Sequence, residues 1–548
     1  MVLAAKENEV SKLDRYRQIN LLLPKTYVAW QVFGAGFENL GRNGKPQTLE
    51  LRPPKPNEIL LRVDALGLCL SDIKIINQGS GHPRLRGRDL EKDPTVLGHE
   101  CSVTVARVGD RWRDQFKPGA RYIVQADIYF HGLGFAFGYL IPGGMGQYTY
   151  LDERGLDGDE GCYLLPVKPE TGYSEAALAE PWACVEMSYN LHDRVEPGDA
   201  ENRLLIVTDE DPTDWIEANP HAVVMTRDLD GLNEDLYDDI VVAGPTPRIV
   251  NALAPRLKKD GAMFLLGREQ EDGPVSLDIG RIHYENLRFY GGADTIEGLA
   301  EIHTRHDLMQ GGSALFIGAG GPMGQMHVQR AIEIASGPKV VVVTDLDRSR
   351  LDHIEQRFGD MARAKGIILK TFAPAQFASR GEMDTAVRAE SPEGYSDVVV
   401  LAPVPALVES AMTFAADNGF VNVFAGLGIG SMASIRLSDL CRGIKIIGSS
   451  GSRISDLRKV LRMVEAAELN TNLSVAAIGG LNAAREGLEG VKAARFPGKT
   501  VIYPHILDLP LMGIDEIPAR IPELKDKLTG QVAWTKQAEA ALLERFLK

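Results

Sequence analysis

The chain has 548 residues, too long for one compact core, and its 44% hydrophobic and 25% charged composition is that of an ordinary globular protein of about two to four domains. Its net charge of −15 argues against nucleic acid or an anionic membrane as the main partner. A small-molecule substrate remains, anionic only if a local basic pocket outvotes the global charge. The five cysteines, Cys69, Cys101, Cys162, Cys184 and Cys441, are odd in number and widely spaced, so no disulfide framework is expected and a reducing, cytoplasmic compartment fits. The N-terminal stretch MVLAAKENEVSKLDRYRQ lacks the apolar run of a secretory signal, and no segment is long and apolar enough to suggest a transmembrane helix.

Residues 1–202 open as a strand-rich domain. KTYVAWQVF, EILLRVDALGLC, HECSVTVARVG, GARYIVQA and GQYTYLD are short β-branched or aromatic runs separated by Gly, Pro and Asp. At Ser174 the pattern turns helical in SEAALAEPWACVEMSYNLH. From residue 203 apolar strands alternate with helical stretches, the signature of βαβ units on a parallel sheet. This happens twice. DDIVVAGPTPRIVNALAPRLKKDGAMFLLG, from Asp238, slides without a gap over SDVVVLAPVPALVESAMTFAADNGFVNVFAG, from Ser396. The overlay pairs Asp239 with Asp397, Pro245 with Pro403, Pro247 with Pro405, Val250 with Val408 and Gly261 with Gly419. After one deletion NLRFYGG, from Asn286, matches GIKIIGS, from Gly443. The fold class is therefore α/β, with an internal duplication of Rossmann-like units over 203–308 and 309–470. Residues 471–504 end in the strand-like GKTVIYP, and 505–548 form a C-terminal extension with a helix in TKQAEAALLERFLK that can pack on its own surface or on a partner subunit.

The second unit opens with SALFIGAGGPMGQMHVQRAIEIA, an apolar strand, a glycine turn and an apolar helix. Glycine allows a tight turn and lets the backbone approach a pyrophosphate without a Cβ, while the helix N-terminus offers N–H groups to the phosphates. Gly318, Gly320, Gly321, Met323 and Gly324 are the candidate phosphate-binding residues. The turn departs from G-x-G-x-x-G because its last glycine comes one position late; a register set by Gly321–Gly324 would put Ala319 in the first glycine's place. The strand KVVVVTDLD ends at Asp345, 21 residues beyond Gly324, where a carboxylate can accept ribose hydroxyls and repel a 2′-phosphate. NAD is expected over NADP, with Arg348 and Arg350 weakening the preference slightly. The first unit has no such turn. RLLIVT runs into DEDPTDWIEANP, where Asp209, Glu210 and Asp211 would repel a phosphate, so no dinucleotide is expected there.

Three segments of the strand-rich domain carry metal-ligand chemistry: GLCLSD (67–72), GHE (98–100) and EPWACV (180–185). Cys69, His99 and Glu180 would give one sulfur, one nitrogen and one oxygen, leaving the fourth zinc position open as a catalytic site requires. Glu100 is a transient ligand or an outer carboxylate, and Asp72 a partner that fixes the imidazole of His99. Taken singly, each is equally a buried thiol, a core histidine or a carboxylate leading into a helix.

In combination these motifs resemble the zinc-dependent medium-chain dehydrogenase/reductase (alcohol dehydrogenase) superfamily: G-x-C-x-[ST]-D, GHE, a downstream Glu-Pro, a Rossmann domain and a short return. The resemblance covers roughly 25–200 and 310–504 and is nearest the sorbitol and threonine dehydrogenase branch because of Glu180-Pro181. CLSDIKIINQGSGHPR is also similar to the sugar-phosphate reductases around L-sorbose-1-phosphate reductase. The resemblance implies a GroES-like catalytic domain, one catalytic zinc on Cys69, His99 and Glu180, NAD, and Ser71 as hydroxyl proton relay; a homo-oligomer is a separate expectation, with the first Rossmann-like unit and the C-terminal extension as its candidate interfaces. The resemblance also implies hydride transfer between NAD(H) and a secondary alcohol or ketone. Lys74 stands where many members have an outer relay histidine, so it enters as a catalytic candidate. The four-cysteine lobe is absent, since residues 125–147 contain no cysteine, so no structural zinc is expected. The first Rossmann-like unit is an insertion relative to the common members.

The substrate is expected to be a polyol, sugar or sugar phosphate. In HPRLRGRD (82–89), Arg84, Arg86 and Arg88 either clamp a phosphate or carboxylate or form a solvated loop face. IYFHGLGFAFGYLIPGG (128–144) either lines a pocket or plugs the place of the missing lobe. A zinc-free NAD(P)H reductase, an NAD-using lyase or an inactive scaffold are the alternative functions.

Overall fold

The computed structural model describes residues 10–19, 23–190, 194–198, 202–218, 220–530 and 532–548. The first nine residues of the polar N-terminal stretch, Leu191 and His192 at the end of the helical stretch, and Asn219 in the acidic loop lie outside the described residues. The chain forms two compact units, Met1–Cys184 with Ser452–Lys548, and Val185–Gly451. Among the described residues no helix is long and apolar enough to cross a membrane.

The first unit is built on an eight-stranded sheet. Its centre is Glu58–Gly67, buried along its whole length, with Glu100–Val108 and Tyr148–Asp152 pairing antiparallel to it. The strand Lys499–Tyr503, from GKTVIYP, joins the same sheet through Val501 opposite Gly67. The helical stretch after Ser174 divides into Tyr173–Ala177 and Ala179–Met187, and Pro181 sits in the first turn of the second, where its missing N–H costs no helix bond. The C-terminal extension packs on this unit. Its helix Lys536–Phe546 carries Glu539, whose carboxylate accepts the backbone N–H groups of Tyr173 and Ser174 at 2.6 and 2.7 Å and the Tyr503 hydroxyl at 3.0 Å. A buried acid thus caps the helix preceding the one that bears Glu180.

The second unit holds both duplicated copies in one eleven-stranded sheet. Its order is Val223–Met225, Leu204–Val207, Tyr237–Ala243, Leu257–Leu266, Arg288–Ala293, Lys445–Gly448, Ala415–Val423, Tyr395–Val400, Ser313–Ile317, Val340–Thr344 and Ile368–Phe372. The first five strands come from one copy and the last six from the other. Each copy anchors its first matched aspartate alike. Arg194 forms a two-pronged pair with Asp239, which also accepts Gly198 N–H; Arg305 pairs with Asp397, which also accepts Met309 N–H.

The copies meet along equivalent residues. Ser276 pairs with Ser434, and Phe289 with Ile446. Carrying the ungapped register on from Gly267 to Ser276, and resuming it after the deletion at Phe289, makes each of these a matched position, so the junction is an isologous, twofold-like interface inside one chain. Even the helix contacts repeat: Asn251 accepts Ser276 N–H at 2.7 Å, and its counterpart Glu409 accepts Ser434 N–H at 2.8 Å. With both N–H groups turned to helices, the serines form a non-hydrogen-bonded pair with Cα atoms about 4.5 Å apart, within disulfide reach. The Ser276→Cys/Ser434→Cys double variant is expected to oxidise to an intrachain bridge and run at single-chain mass on a non-reducing gel. A covalent dimer from either single variant would instead place the twofold between two chains.

Candidate active site

The metal-ligand segments are drawn together by one buried carboxylate. Cys69 is the N-cap of the helix Leu70–Gln78, and its backbone N–H donates to Asp72 Oδ2 at 3.1 Å. The other oxygen, Oδ1, accepts Gly98 N–H at 3.1 Å and lies 3.7 Å from His99 Nδ1. Asp72 is fully buried, so the G-x-C-x-S-D and GHE segments share a single acceptor. Gly98 has φ +91°, and a Cβ there would meet Leu66 at 2.7 Å; a larger residue would be strained and crowded. Gly67, directly opposite Glu100, leaves the space its carboxylate fills, since a Cβ would lie 2.1 Å from Oε2.

Cys69, His99 and Glu100 each offer a ligand atom within 4.8 Å of the others. Glu100 Oε2 is buried without a hydrogen-bond partner, and Oε1 forms an ion pair with Lys499 Nζ. One sulfur, one imidazole nitrogen and a carboxylate oxygen left unsatisfied fit a zinc ion. Burial opposes a positive charge on His99, yet Asp72 and Cys69 outweigh it and raise its pKa well above the usual value. Glu180 is buried beside this group but outside its 4.8 Å set. Burial pushes its pKa up to about 7, with His99 opposing the shift and Glu100 adding to it. The geometry therefore brings Glu100, rather than Glu180, into the tightest cluster.

Ser71 Oγ lies 3.4 Å from His99 Nε2. Lys74 is exposed on the same helix, where its charge bears on His82. The aromatic loop is exposed around Tyr129 and Leu133 and buried in its second half: Phe137, Tyr139 and Ile141 pack into the core, and the Tyr139 ring lies 6.0 Å from that of His99. It thus plugs the core and walls the site at once. Lys499 is the functional residue that sequence reasoning missed. Its ammonium is buried and donates to Leu68 O at 3.3 Å as well as to Glu100. The available signal was a lysine leading a short β-branched and aromatic strand, KTVIY, where a buried ammonium implies a buried acid nearby.

In the second unit the glycine turn joins Ser313–Ile317 to the helix Pro322–Glu333. Gly318, at φ +72°, makes the tight turn, and a Cβ on it would meet Ala402 Cβ at 2.6 Å. Gly324 allows the helix to close on the turn, since a Cβ would lie 2.4 Å from Ala319 Cα. The first and last glycines of the motif are thus Gly318 and Gly324, with one extra residue between them. Gly321 is the helix N-cap, and Met323 lies in the first turn beside it. Asp345 Oδ2 accepts Gly320 N–H at 2.8 Å, tying the acidic strand end to the turn. A cavity of about 730 Å³ opens here, lined by Gly318, Asp345, Asp347 and Arg350 and by apolar Leu346, Val404 and Leu407. In the first copy the registers of Leu204 with Asp239 and Ala314 with Asp397 put Thr208 in the place of Gly318 and Arg227 in that of Leu346. There Asp209 accepts Arg227 N–H at 2.9 Å and lies 3.7 Å from its guanidinium, filling the turn.

Residues 55–156 match the alcohol dehydrogenase GroES-like domain. Over its length the chain is 24% identical to L-sorbose 1-phosphate reductase of Klebsiella pneumoniae, covering 92% of this chain and 95% of the relative. It is 25% identical to mannitol-1-phosphate 5-dehydrogenase of Aliivibrio fischeri, covering 91% and 95%. Among solved structures, 2R,3R-butanediol dehydrogenase from Bacillus subtilis superimposes with a TM-score of 0.51 at 16% identity, covering 87% of this chain and 99% of that one. The GroES-like match and the end-to-end similarity to sugar-phosphate reductases and dehydrogenases support kinship with the medium-chain alcohol dehydrogenase superfamily, and the solved structure shares the fold.

Proposed function

We propose that this chain is a zinc- and NAD-dependent oxidoreductase that moves hydride between the cofactor and the CH–OH carbon of a polyol, sugar or sugar phosphate. The observation that carries the reading is the Cys69, His99 and Glu100 cluster, its segments pinned by Asp72 and its free oxygen unsatisfied. Zinc held there supplies Lewis acidity toward an alcohol oxygen. Cys69 and His99 are the fixed donors. Glu100 supplies the carboxylate in the arrangement seen, and Glu180 is the donor at hand when Glu100 stays with Lys499. Asp72 orients the His99 ring, and the Ser71 hydroxyl, 3.4 Å from that ring, passes the substrate proton outward. Lys74, exposed on the helix that Cys69 caps, acts at most on the far end of that route.

The nucleotide is held in the second unit by Gly318, Gly320, Gly321, Met323 and Gly324 against the pyrophosphate and by Asp345 against the adenosine ribose. The cavity beside Asp345 suits an adenosine, and the sugar-phosphate relatives support the substrate class. The first copy, its turn filled by Arg227 and Asp209, binds no dinucleotide. Asp345→Ser removes a carboxylate that repels a 2′-phosphate and is expected to move the NAD-to-NADP ratio of kcat/KM at least about tenfold toward NADP. The function itself is tested by measuring zinc on the purified protein and scanning polyols, sugar phosphates and secondary alcohols at the NADH absorbance. Stoichiometric zinc with NAD-dependent turnover is expected. Turnover that survives complete zinc removal would favour a zinc-free reductase.

A further inference from the structure

The three arginines of HPRLRGRD part company in the fold. Arg88 is spent on structure: its guanidinium donates to the carbonyls of Asp93, Pro94 and Leu140 at 2.8 to 3.1 Å. Arg84 and Arg86 instead line a cavity of about 250 Å³, together with Asp127. Arg84 is held in place by Asp127 at 2.7 Å. Arg86 sits in a left-handed turn at φ +50°, exposed, and makes no ion pair among the described residues. His82, the neighbour of the lining residue Pro83, has its pKa lowered by burial and by the charges of Arg84 and Lys74, so Lys74 adds its positive field to this region. In a chain of net charge −15, this is a local positive cluster with a cavity in it.

The cluster adjoins the metal-ligand group. The Arg84 guanidinium carbon is 5.4 Å from the Tyr139 ring, and that ring is 6.0 Å from His99. Those separations cap the distance from Arg84 to His99 at about 11 Å, comparable to the length of an acyclic sugar phosphate. Asp127 neutralises Arg84 and fixes its direction, so the uncompensated charge is that of Arg86. We infer that this cavity is the phosphate subsite of the active site, with Arg86 as the group that selects a phosphorylated substrate and Arg84, oriented by Asp127, as its second prong. The inference rests on the dehydrogenase reading and adds to it the substrate's anionic group and the residue that reads it.

The test compares matched hexitols and hexitol phosphates as substrates for the wild type and Arg86→Gln, with inorganic phosphate as competing ligand. The wild type is expected to favour the phosphorylated members and to be inhibited competitively by inorganic phosphate. Arg86→Gln should lower the phosphorylated-to-unphosphorylated ratio of kcat/KM at least tenfold, mainly through KM, and weaken the phosphate inhibition in step. An unchanged ratio or unchanged inhibition overturns the proposal. A wild type that oxidises only unphosphorylated polyols and ignores phosphate overturns it too, while leaving the dehydrogenase reading intact. If nothing in the panel turns over, ³¹P titration with inorganic phosphate decides. Binding weakened by Arg86→Gln supports the subsite even as the dehydrogenase reading falls, and equal binding overturns it. Arg84→Lys, which keeps the charge beside Asp127, guards against a folding artefact and should give a smaller shift in the same direction.

Discussion

Cys69→Ser and His99→Gln are each expected to strip zinc from the purified protein and to lower kcat/KM on the order of 10³-fold, about 4 kcal/mol of transition-state stabilisation. Each removes a donor that the fold has already oriented: Cys69 as a helix N-cap, His99 beside a fully buried aspartate. Asp72→Asn should fall short of either, on the order of 10- to 100-fold, because it acts through the two donors and touches no substrate. Metal analysis and the NADH absorbance on the same sample check all three. Full zinc content and full turnover in Cys69→Ser would sink the assignment. Glu100→Gln and Glu180→Gln compared side by side identify the carboxylate donor, which is the variant that loses zinc.

Lys499→Met is expected to be the most destabilising single change near the site. Lys499 is 4% exposed and Glu100 is fully buried, so removing the ammonium leaves an uncompensated carboxylate in a low-dielectric interior beside Glu180. Breaking such a pair costs about 3–5 kcal/mol, a drop in Tm on the order of 10 °C. The double variant Lys499→Met/Glu100→Gln removes both charges and should recover a large part of that loss, because the penalty lies in the orphaned charge rather than in the bridge itself. Thermal melts of the two singles and the double, each chelated and zinc-loaded, form the cycle. Additive effects would mean that the two groups are not coupled.

The ligand segments were legible because their chemistry is local. In GLCLSD the aspartate three residues after the cysteine is also the acceptor that caps the helix, so one short pattern encodes both the turn and the ligand. The glycine turn reads the same way, although only the φ of Gly318 and the packing of Gly324 on Ala319 fixed its register. The three arginines looked equivalent in sequence. Backbone carbonyls supplied by Pro94, Tyr139 and Leu140 made Arg88 structural, and no spacing rule announces that.

Periodicity, capping and turn chemistry act over a few residues, so short windows of the chain carry the α/β class, the dehydrogenase-type motifs and the acidic end of the strand after the glycine turn. Tertiary structure alone decided that Lys499 neutralises Glu100 from 399 positions away, that Glu100 crowds the cluster more closely than Glu180, and that the two copies fuse into one sheet at matched residues. Those outcomes depend on which distant strands pair and which charges are buried together. That choice is set by the sum of packing and desolvation over the whole chain and leaves no mark in any short window of it.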